Sequence, residues 1–137
     1  MIYVILPFIA WIVAGCCKFA VNFLCNGHQA KKMIGYGGFP STHTTVLSTV
    51  VFFAGFQLGW YSPVVTLGLG ALVILIIDAH GLRRKVGELS AVLNRLQMKI
   101  DPEHVTPLRE RMGHSWIEIS GGLTLGAFLA WLACFLC

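Results

Sequence analysis

Four apolar runs and one amphipathic stretch organise this chain. Ile2 to Leu24, Thr44 to Leu58, Tyr61 to Ile77 and Ile117 to Leu136 carry almost no charge, and a membrane span needs about 20 apolar residues at ~1.5 Å of rise per residue. The second run is short and rich in Val, Thr and Phe, so it is expected to tilt or to enter the bilayer partway. Gly59, Trp60, Ser62 and Pro63 predict a tight reversal into the third run, with aromatic rings at an interface. Beyond it, Leu82, Val86, Leu89, Val92/Leu93, Leu96 and Ile100 recur in alternating steps of four and three, while Arg84, Lys85, Glu88, Asn94 and Arg95 fill the other faces. That period predicts an amphipathic helix over about 82–100, closed by Asp101 and Pro102. Its stripe needs a partner: the chain's own helices, the bilayer surface, or a copy of itself in a homodimer.

The expected architecture is therefore all-α: a single integral membrane domain over 1–137, a polytopic helical bundle of about four transmembrane segments plus one cytoplasmic amphipathic helix. Composition agrees, since a chain of 137 residues that is 56% hydrophobic and 12% charged has too few polar residues to cover a globule in water. Cys16, Cys17, Cys25, Cys134 and Cys137 fall inside or at the ends of apolar runs without metal or redox spacing, and read as packing residues. The N-terminal run lacks a basic start and a small-residue cleavage site, so it is expected to stay in the mature protein.

Charge sets the orientation. All ten Lys and Arg residues lie in or beside two regions, Lys18, Lys31 and Lys32 at the first loop and Arg83, Arg84, Lys85, Arg95, Lys99, Arg109 and Arg111 in the second polar stretch. If every run spans, both regions share one side, which the positive-inside rule makes cytoplasmic, with both termini outside. The expected location is the bacterial inner (plasma) membrane. A net charge of +4 is then a property of membrane loops, and no nucleic-acid partner is implied.

The residues that carry chemistry gather at this basic side. Gly35-Tyr36-Gly37-Gly38-Phe39-Pro40-Ser41-Thr42-His43 precedes the second run; Ser41 or Thr42 can cap the helix, whose free N–H groups make an anion site, and His43 stands in its first turn. Taken alone, this is more often an ordinary capped helix. Asp78-Ala79-His80-Gly81-Leu82-Arg83-Arg84-Lys85 follows the third run. Such a cationic run usually just orients a span, yet arginine suits bidentate phosphate contact and Asp78 can orient a histidine or hold an arginine. At the start of the fourth run, His114 and Glu118 stand four apart, so on a helix they share a face and the carboxylate can make the imidazole a better nucleophile. Lys18, inside the first run, either snorkels to the surface or serves a site.

The strings GGFPSTH at Gly37 to His43, DAHGLRRKVGELSAVLN at Asp78 to Asn94 and LRERMGHSWIEISGG at Leu108 to Gly122 resemble the divergent PAP2 family. These are small membrane proteins related to type 2 phosphatidic acid phosphatases and vanadium haloperoxidases, and the likeness covers nearly the whole chain. The resemblance implies phosphate-ester chemistry: His114 attacks phosphorus, Glu118 orients it in place of the usual Asp, and His43 of Pro40-Ser41-Thr42-His43 is the acid. The usual first motif, a lysine followed six residues later by Arg-Pro, is absent, and Leu108 rather than arginine stands six residues before His114. Lys18, Arg83, Arg84 and Arg109 are left to take the phosphate.

The expected activity is hydrolysis of a lipid phosphate monoester or pyrophosphate through a phosphohistidine. The catalytic set is His114, His43, Glu118 and Asp78; the phosphate-binding set is Lys18, Ser41, Thr42, Arg83, Arg84 and Arg109. No metal or other cofactor is required. The alternative is a non-catalytic binder or transporter holding a lipid phosphate in the same cationic pocket. Partners in either case are a lipid phosphate and the surrounding membrane lipids. A third and less favoured reading makes Asp78, His80, His114 and Glu118 a metal site, against which the surrounding arginines argue because they would repel a cation.

Overall fold

The computed structural model describes residues 2–26, 38–104 and 106–136. Among them there are helices and turns and no strands: α1 (Ile2–Asn26), α2 (Thr42–Leu58), α3 (Pro63–Ile77), a π-turn (Asp78–Leu82), α4 (Arg83–Ile100), a 3-10 turn (Pro102–His104) and α5 (Trp116–Leu136). Lys31, Lys32, the glycine-rich residues 35–37 and Cys137 lie outside the described residues.

Among the described residues, three stretches are long and apolar enough to cross a membrane, Ile2–Leu24, Pro63–Ile100 and Trp116–Leu136. Their outer faces leave Val4, Leu67, Ile74 and Phe135 bare, a surface suited to lipid, while helices satisfy their own backbone groups as a bilayer demands. The protein is an integral membrane protein built as a helical bundle. With 17 residues, α2 rises about 25 Å, a little under the ~30 Å hydrocarbon core. It is nonetheless one unbroken helix, and α1, α3 and α5 all pack against it.

The sequence of α2 explains its central place. Thr44, Thr45, Ser48 and Thr49 are buried, and hydroxyls in an apolar setting need partners. Thr45 Oγ1 donates to the Ser41 carbonyl at 2.9 Å and Thr49 Oγ1 to the Thr45 carbonyl at 2.7 Å. Ser48 Oγ reaches the Thr45 carbonyl at 3.2 Å and, across the interface, the Gly122 carbonyl at 3.4 Å. Facing this row, α5 presents Gly122 and Gly126, while Gly121 lies against the Phe39 ring. A Cβ on Gly126 would run into the Ser48 side chain, and one on Gly122 would lie 2.8 Å from the Ser41 carbonyl oxygen and 2.9 Å from Thr44 Cβ. Helices in lipid gain little from apolar burial, so close approach through small residues is what joins them. At the opposite end the contact becomes apolar, with Leu6, Phe53, Ala130 and Ala133 clustered and the Tyr3 ring edge-on to Phe53 at 4.8 Å.

The reversal after α2 forms as expected. Ser62 N–H bonds to the Gly59 carbonyl at 3.1 Å, and Pro63 opens α3 at the position where its missing N–H is harmless. Trp60 folds back onto Phe56 and Phe52, with ring centroids 5.5 Å and 6.0 Å apart.

The amphipathic helix exists, but it is not separate from the third span. The chain is helical without a break from Pro63 to Ile100, and the π-turn joins α3 to α4. Of the partners expected for its stripe, the chain's own helices are not the one used: Leu82, Val86, Leu89, Leu93, Leu96 and Ile100 are all exposed. A different face carries the internal contact. The Asn94 amide donates to the Leu108 carbonyl at 2.9 Å and its oxygen accepts the Leu108 N–H at 2.8 Å. Next to it, a Cβ on Gly87 would collide with the Glu110 carbonyl. These contacts lay residues 108–112 along α4 and return the chain to the bundle.

Replacement of Gly126 by Leu is expected to lower thermal stability in detergent by at least the ~1–3 kcal/mol typical of overpacking. Gly70→Ala, whose Cβ would meet open space, should leave the unfolding midpoint nearly unchanged. Equal midpoints for the two variants would argue against the α2–α5 seam as the organising contact.

Candidate active site

Four segments converge at the basic end of the bundle: the end of α1, the start of α2, the π-turn and the start of α5. Two backbone bonds pin them. Ser41 N–H donates to the Glu118 carbonyl at 2.9 Å, tying α2 to α5, and His114 N–H donates to the Ala79 carbonyl at 2.9 Å, tying the approach to α5 to the π-turn. The turn before α2 lies against α1, where a Cβ on Gly38 would sit 3.5 Å from Asn22 Oδ1 and 3.8 Å from Lys18 Cε.

Ser41 is the N-cap of α2. Its Oγ accepts the Thr44 N–H at 3.5 Å and shares a hydrogen bond with Thr44 Oγ1 at 2.9 Å, so this buried hydroxyl is engaged in the cap of α2. Thr42 and His43 come next, with Thr42 partly buried and His43 exposed. The unpaired N–H groups of the first turn give this end partial positive charge.

The start of α5 is a capping box. Ser115 N–H donates to Glu118 Oε2 at 2.8 Å and Glu118 N–H donates to Ser115 Oγ at 3.3 Å. Just before it, Gly113 has φ +83°, and a Cβ there would lie 2.6 Å from Arg84 Cγ and 2.8 Å from the Ala79 carbonyl oxygen. Only glycine fits both the backbone angle and the space. The turn aims His114 inward, where its ring is buried.

His114 and His43 face each other with ring centroids 6.2 Å apart. Glu118 Oε2 lies 3.4 Å from His114 Nδ1, close enough for charge attraction but too poorly aligned to count as a hydrogen bond. Burial holds the pKa of His114 below the ordinary 6.5; the Glu118 carboxylate acts against it, and the charges of Lys18 and Arg83 act with it. The ring is thus biased towards its neutral form. Arg83 is fixed by Asp78, whose Oδ2 accepts from Nε at 2.6 Å across the π-turn. Lys18 is half-buried on α1, where Glu118 and Arg109 are the charges that act on it.

The divergent PAP2 family matches residues 2–129. The chain belongs to that family. It is also similar to a curated relative, the "uncharacterized membrane protein YuiD" of Bacillus subtilis (strain 168), with 29% identity over 131 residues, covering 84% of this chain and 83% of the relative. No solved structure matches the chain.

In this divergent PAP2 chain the structure draws Lys18, Thr42, His43, Asp78, Arg83, His114 and Glu118 to one end of the bundle. Within that group Asp78 meets Arg83 and not a histidine, so its contact makes it a holder of the arginine. Arg84 is exposed and lends its stem to the Gly113 turn. Arg109 is exposed and bonds through Nε to the Arg111 carbonyl at 3.2 Å. Two features escaped the sequence reading. The Ser115 to Glu118 capping box was legible as S-x-x-E before an apolar run. The contact His80 makes was not: its ring lies 4.5 Å from Trp116 and its Nδ1 is 3.2 Å from the His114 carbonyl. Together with the Ala79 bond, this lets the π-turn hold both backbone polar groups of His114.

Gly113→Ala is expected to destabilise the protein by about 1–3 kcal/mol, because it places strain and a backbone collision at the same residue. Gly81→Ala, in open space on the π-turn, serves as the control. Thermal unfolding in detergent checks both, and an unperturbed Gly113→Ala would mean that the turn carrying His114 is looser than described.

Proposed function

We propose that this protein is a membrane phosphatase that hydrolyses a lipid phosphate monoester or pyrophosphate at the cytoplasmic leaflet, through a covalent phosphohistidine on His114. The observation that supports it most is the pairing of His43 and His114, 6.2 Å apart on separate segments, within reach of the charges of Lys18 and Arg83. Family membership supports a phosphatase-related role. The basic end of the bundle is taken as cytoplasmic by the positive-inside rule, with both termini outside and the bacterial inner membrane as the site.

The chemistry follows from the side chains. With Nδ1 of His114 turned to Glu118, Nε2 of the neutral ring is free to attack phosphorus. The bond from phosphorus to the leaving oxygen breaks as the P–N bond forms, and protonated His43 gives its proton to that oxygen, releasing a lipid alcohol from a monoester or a lipid monophosphate from a pyrophosphate. Water then attacks the phosphohistidine while His43 takes a proton from it. The P–N bond breaks, orthophosphate leaves and both histidines return to their starting states. Lys18, Arg83, Thr42 and the first N–H groups of α2 hold the non-bridging oxygens, where charge grows in the transition state.

One observation favours a second reading, a non-catalytic lipid-phosphate binder or transporter. The Glu118 carboxylate is hydrogen-bonded by the Ser115 amide, and its alignment with His114 is imperfect. Phosphate release separates the two.

Purified protein in detergent is expected to release phosphate from at least one of phosphatidic acid, phosphatidylglycerol phosphate or a polyprenyl phosphate. His43→Ala should slow release by about 10²–10⁴-fold and His114→Ala should reduce it to background, with folding retained; full activity in both would overturn the mechanism. Vanadate, a pentavalent phosphate mimic, should inhibit.

The pH profile gives an independent check. His114 must be neutral to attack, and its pKa is lowered, so the acid limb of kcat/KM assigned to it should fall below the histidine reference near 6.5. Glu118→Gln removes the group that stabilises the charged ring, and should shift that limb to still lower pH. A shift towards higher pH would contradict the placement of Glu118 beside His114.

A further inference from the structure

A groove of about 910 Å³ leads away from the candidate site into the apolar part of the bundle, with α1 and α3 as its walls and α2 as its floor. Its polar lining is confined to one end, at Lys18, Thr42 and His43, with Leu75 of α3 near the same end; Trp11 and Val50 lie about two helical turns below, and Pro7 lies at the far end. From Pro7 to Lys18 the helix climbs about 16 Å, roughly half of a ~30 Å hydrocarbon core.

We infer that this groove is the tail subsite for a phosphate-headed lipid: the head rests at Lys18 and His43, and the apolar chain runs between α1 and α3 towards Pro7. The inference rests on the proposed reading of that end as a phosphate site, and it adds the route by which the substrate arrives. The lipid slides in sideways from its own leaflet and need not leave the membrane.

Two observations select this occupant. First, the groove is continuous with the candidate site, so whatever fills it presents its end to His43. Second, its chemistry is one-sided, with a cation and a histidine at one end and apolar side chains below, which matches an amphiphile with a single charged end. An apolar helix from a second copy, about 10–12 Å across, would bring apolar side chains to both ends and would not match the polar end at Lys18, Thr42 and His43. The depth also agrees, since a chain lying here reaches the middle of the bilayer and stops.

The groove contributes little transfer free energy, because the tail leaves one apolar medium for another. Its contribution is orientation. A tail held along α2 fixes the position of phosphorus relative to His114, and such positioning is where the binding of a non-reacting substrate part becomes useful.

The test uses the full chain in vesicles and a long-chain alkyl phosphate bearing a diazirine at mid-tail, with the corresponding phosphate-free alcohol as control. Cross-links read by mass spectrometry are expected at Trp11 and Val50, several-fold above the outward residues Phe128 and Phe135 of α5. They should fall several-fold in Val50→Trp, in Leu75→Trp on the opposite wall, and with the phosphate-free alcohol. Equal labelling of the groove and the outer face of α5, unchanged labelling in both folded tryptophan variants, or no groove labelling because another segment or a second copy occupies it would overturn the proposal. The readout does not depend on turnover. Groove labelling without phosphate release would keep the tail subsite and defeat the phosphatase reading, whereas phosphate release without groove labelling would do the reverse.

Discussion

The close seam between α2 and α5 is the contact on which the rest of the structure depends. Hydroxyls at Thr44, Thr45, Ser48 and Thr49 would be a liability facing lipid, and Gly122 and Gly126 on α5 let them be covered while their hydrogen bonds are made. The seam fixes more than stability. Because Ser41 N–H bonds to the Glu118 carbonyl at its basic end, the same contact sets the start of α2 against the start of α5. His43 and His114 thereby meet from segments far apart in sequence. A bundle joined only by apolar side chains would lack this register, since one such contact in lipid exchanges readily for another.

The π-turn adds the second constraint. The wider turn at Asp78–Leu82 interrupts the α-helical repeat between α3 and α4, and π-turns of this kind are frequent where helices carry function. Here it presents the Ala79 carbonyl and His80 to the His114 backbone and sets Arg83 on Asp78. The third span is therefore connected to the backbone of His114 through both of its polar groups. The continuous helix also carries α4 away from the bundle, and residues 108–112 return along it to deliver Gly113 and His114.

Much of this was legible in the sequence, and the part that was not has a physical reason. Long apolar runs and the four-three stripe of Leu82 to Ile100 report their own helices, because a period is a local property. The grouping of basic residues reports which ends lie together. The Phe39 to His43 string announced a capped helix but not which hydroxyl caps it; Ser41 closes the cap, and the neighbouring Thr42 is left facing Lys18 and the groove. Asp78 was open between a histidine and an arginine, and only the geometry of the π-turn selects Arg83. The contact His80 makes was hidden for the same reason: the partner is a backbone carbonyl 34 positions away, and no side-chain pattern encodes such a bond. The continuity of α3 with α4 was likewise invisible, because the polar run from Asp78 to Lys85 reads as an interruption when charge alone is considered.

Glu118 shows how one residue satisfies two requirements of different origin. The resemblance to the wider PAP2 pattern sets an acid four positions after the histidine, usually Asp, and this chain has Glu. A capping box at Ser115 asks for Glu or Gln at the third helical position, since the longer side chain can reach back to the backbone N–H of the cap, and Glu118 Oε2 does so at 2.8 Å. The same oxygen lies 3.4 Å from His114 Nδ1. Asp at this position would have a shorter reach and would have to give up one of the two contacts, leaving either the start of α5 uncapped or the buried imidazole without its carboxylate. The helix that begins there gives a physical reason for Glu at this position: α5 starts directly after the Gly113 turn, and the group that caps this start also faces His114.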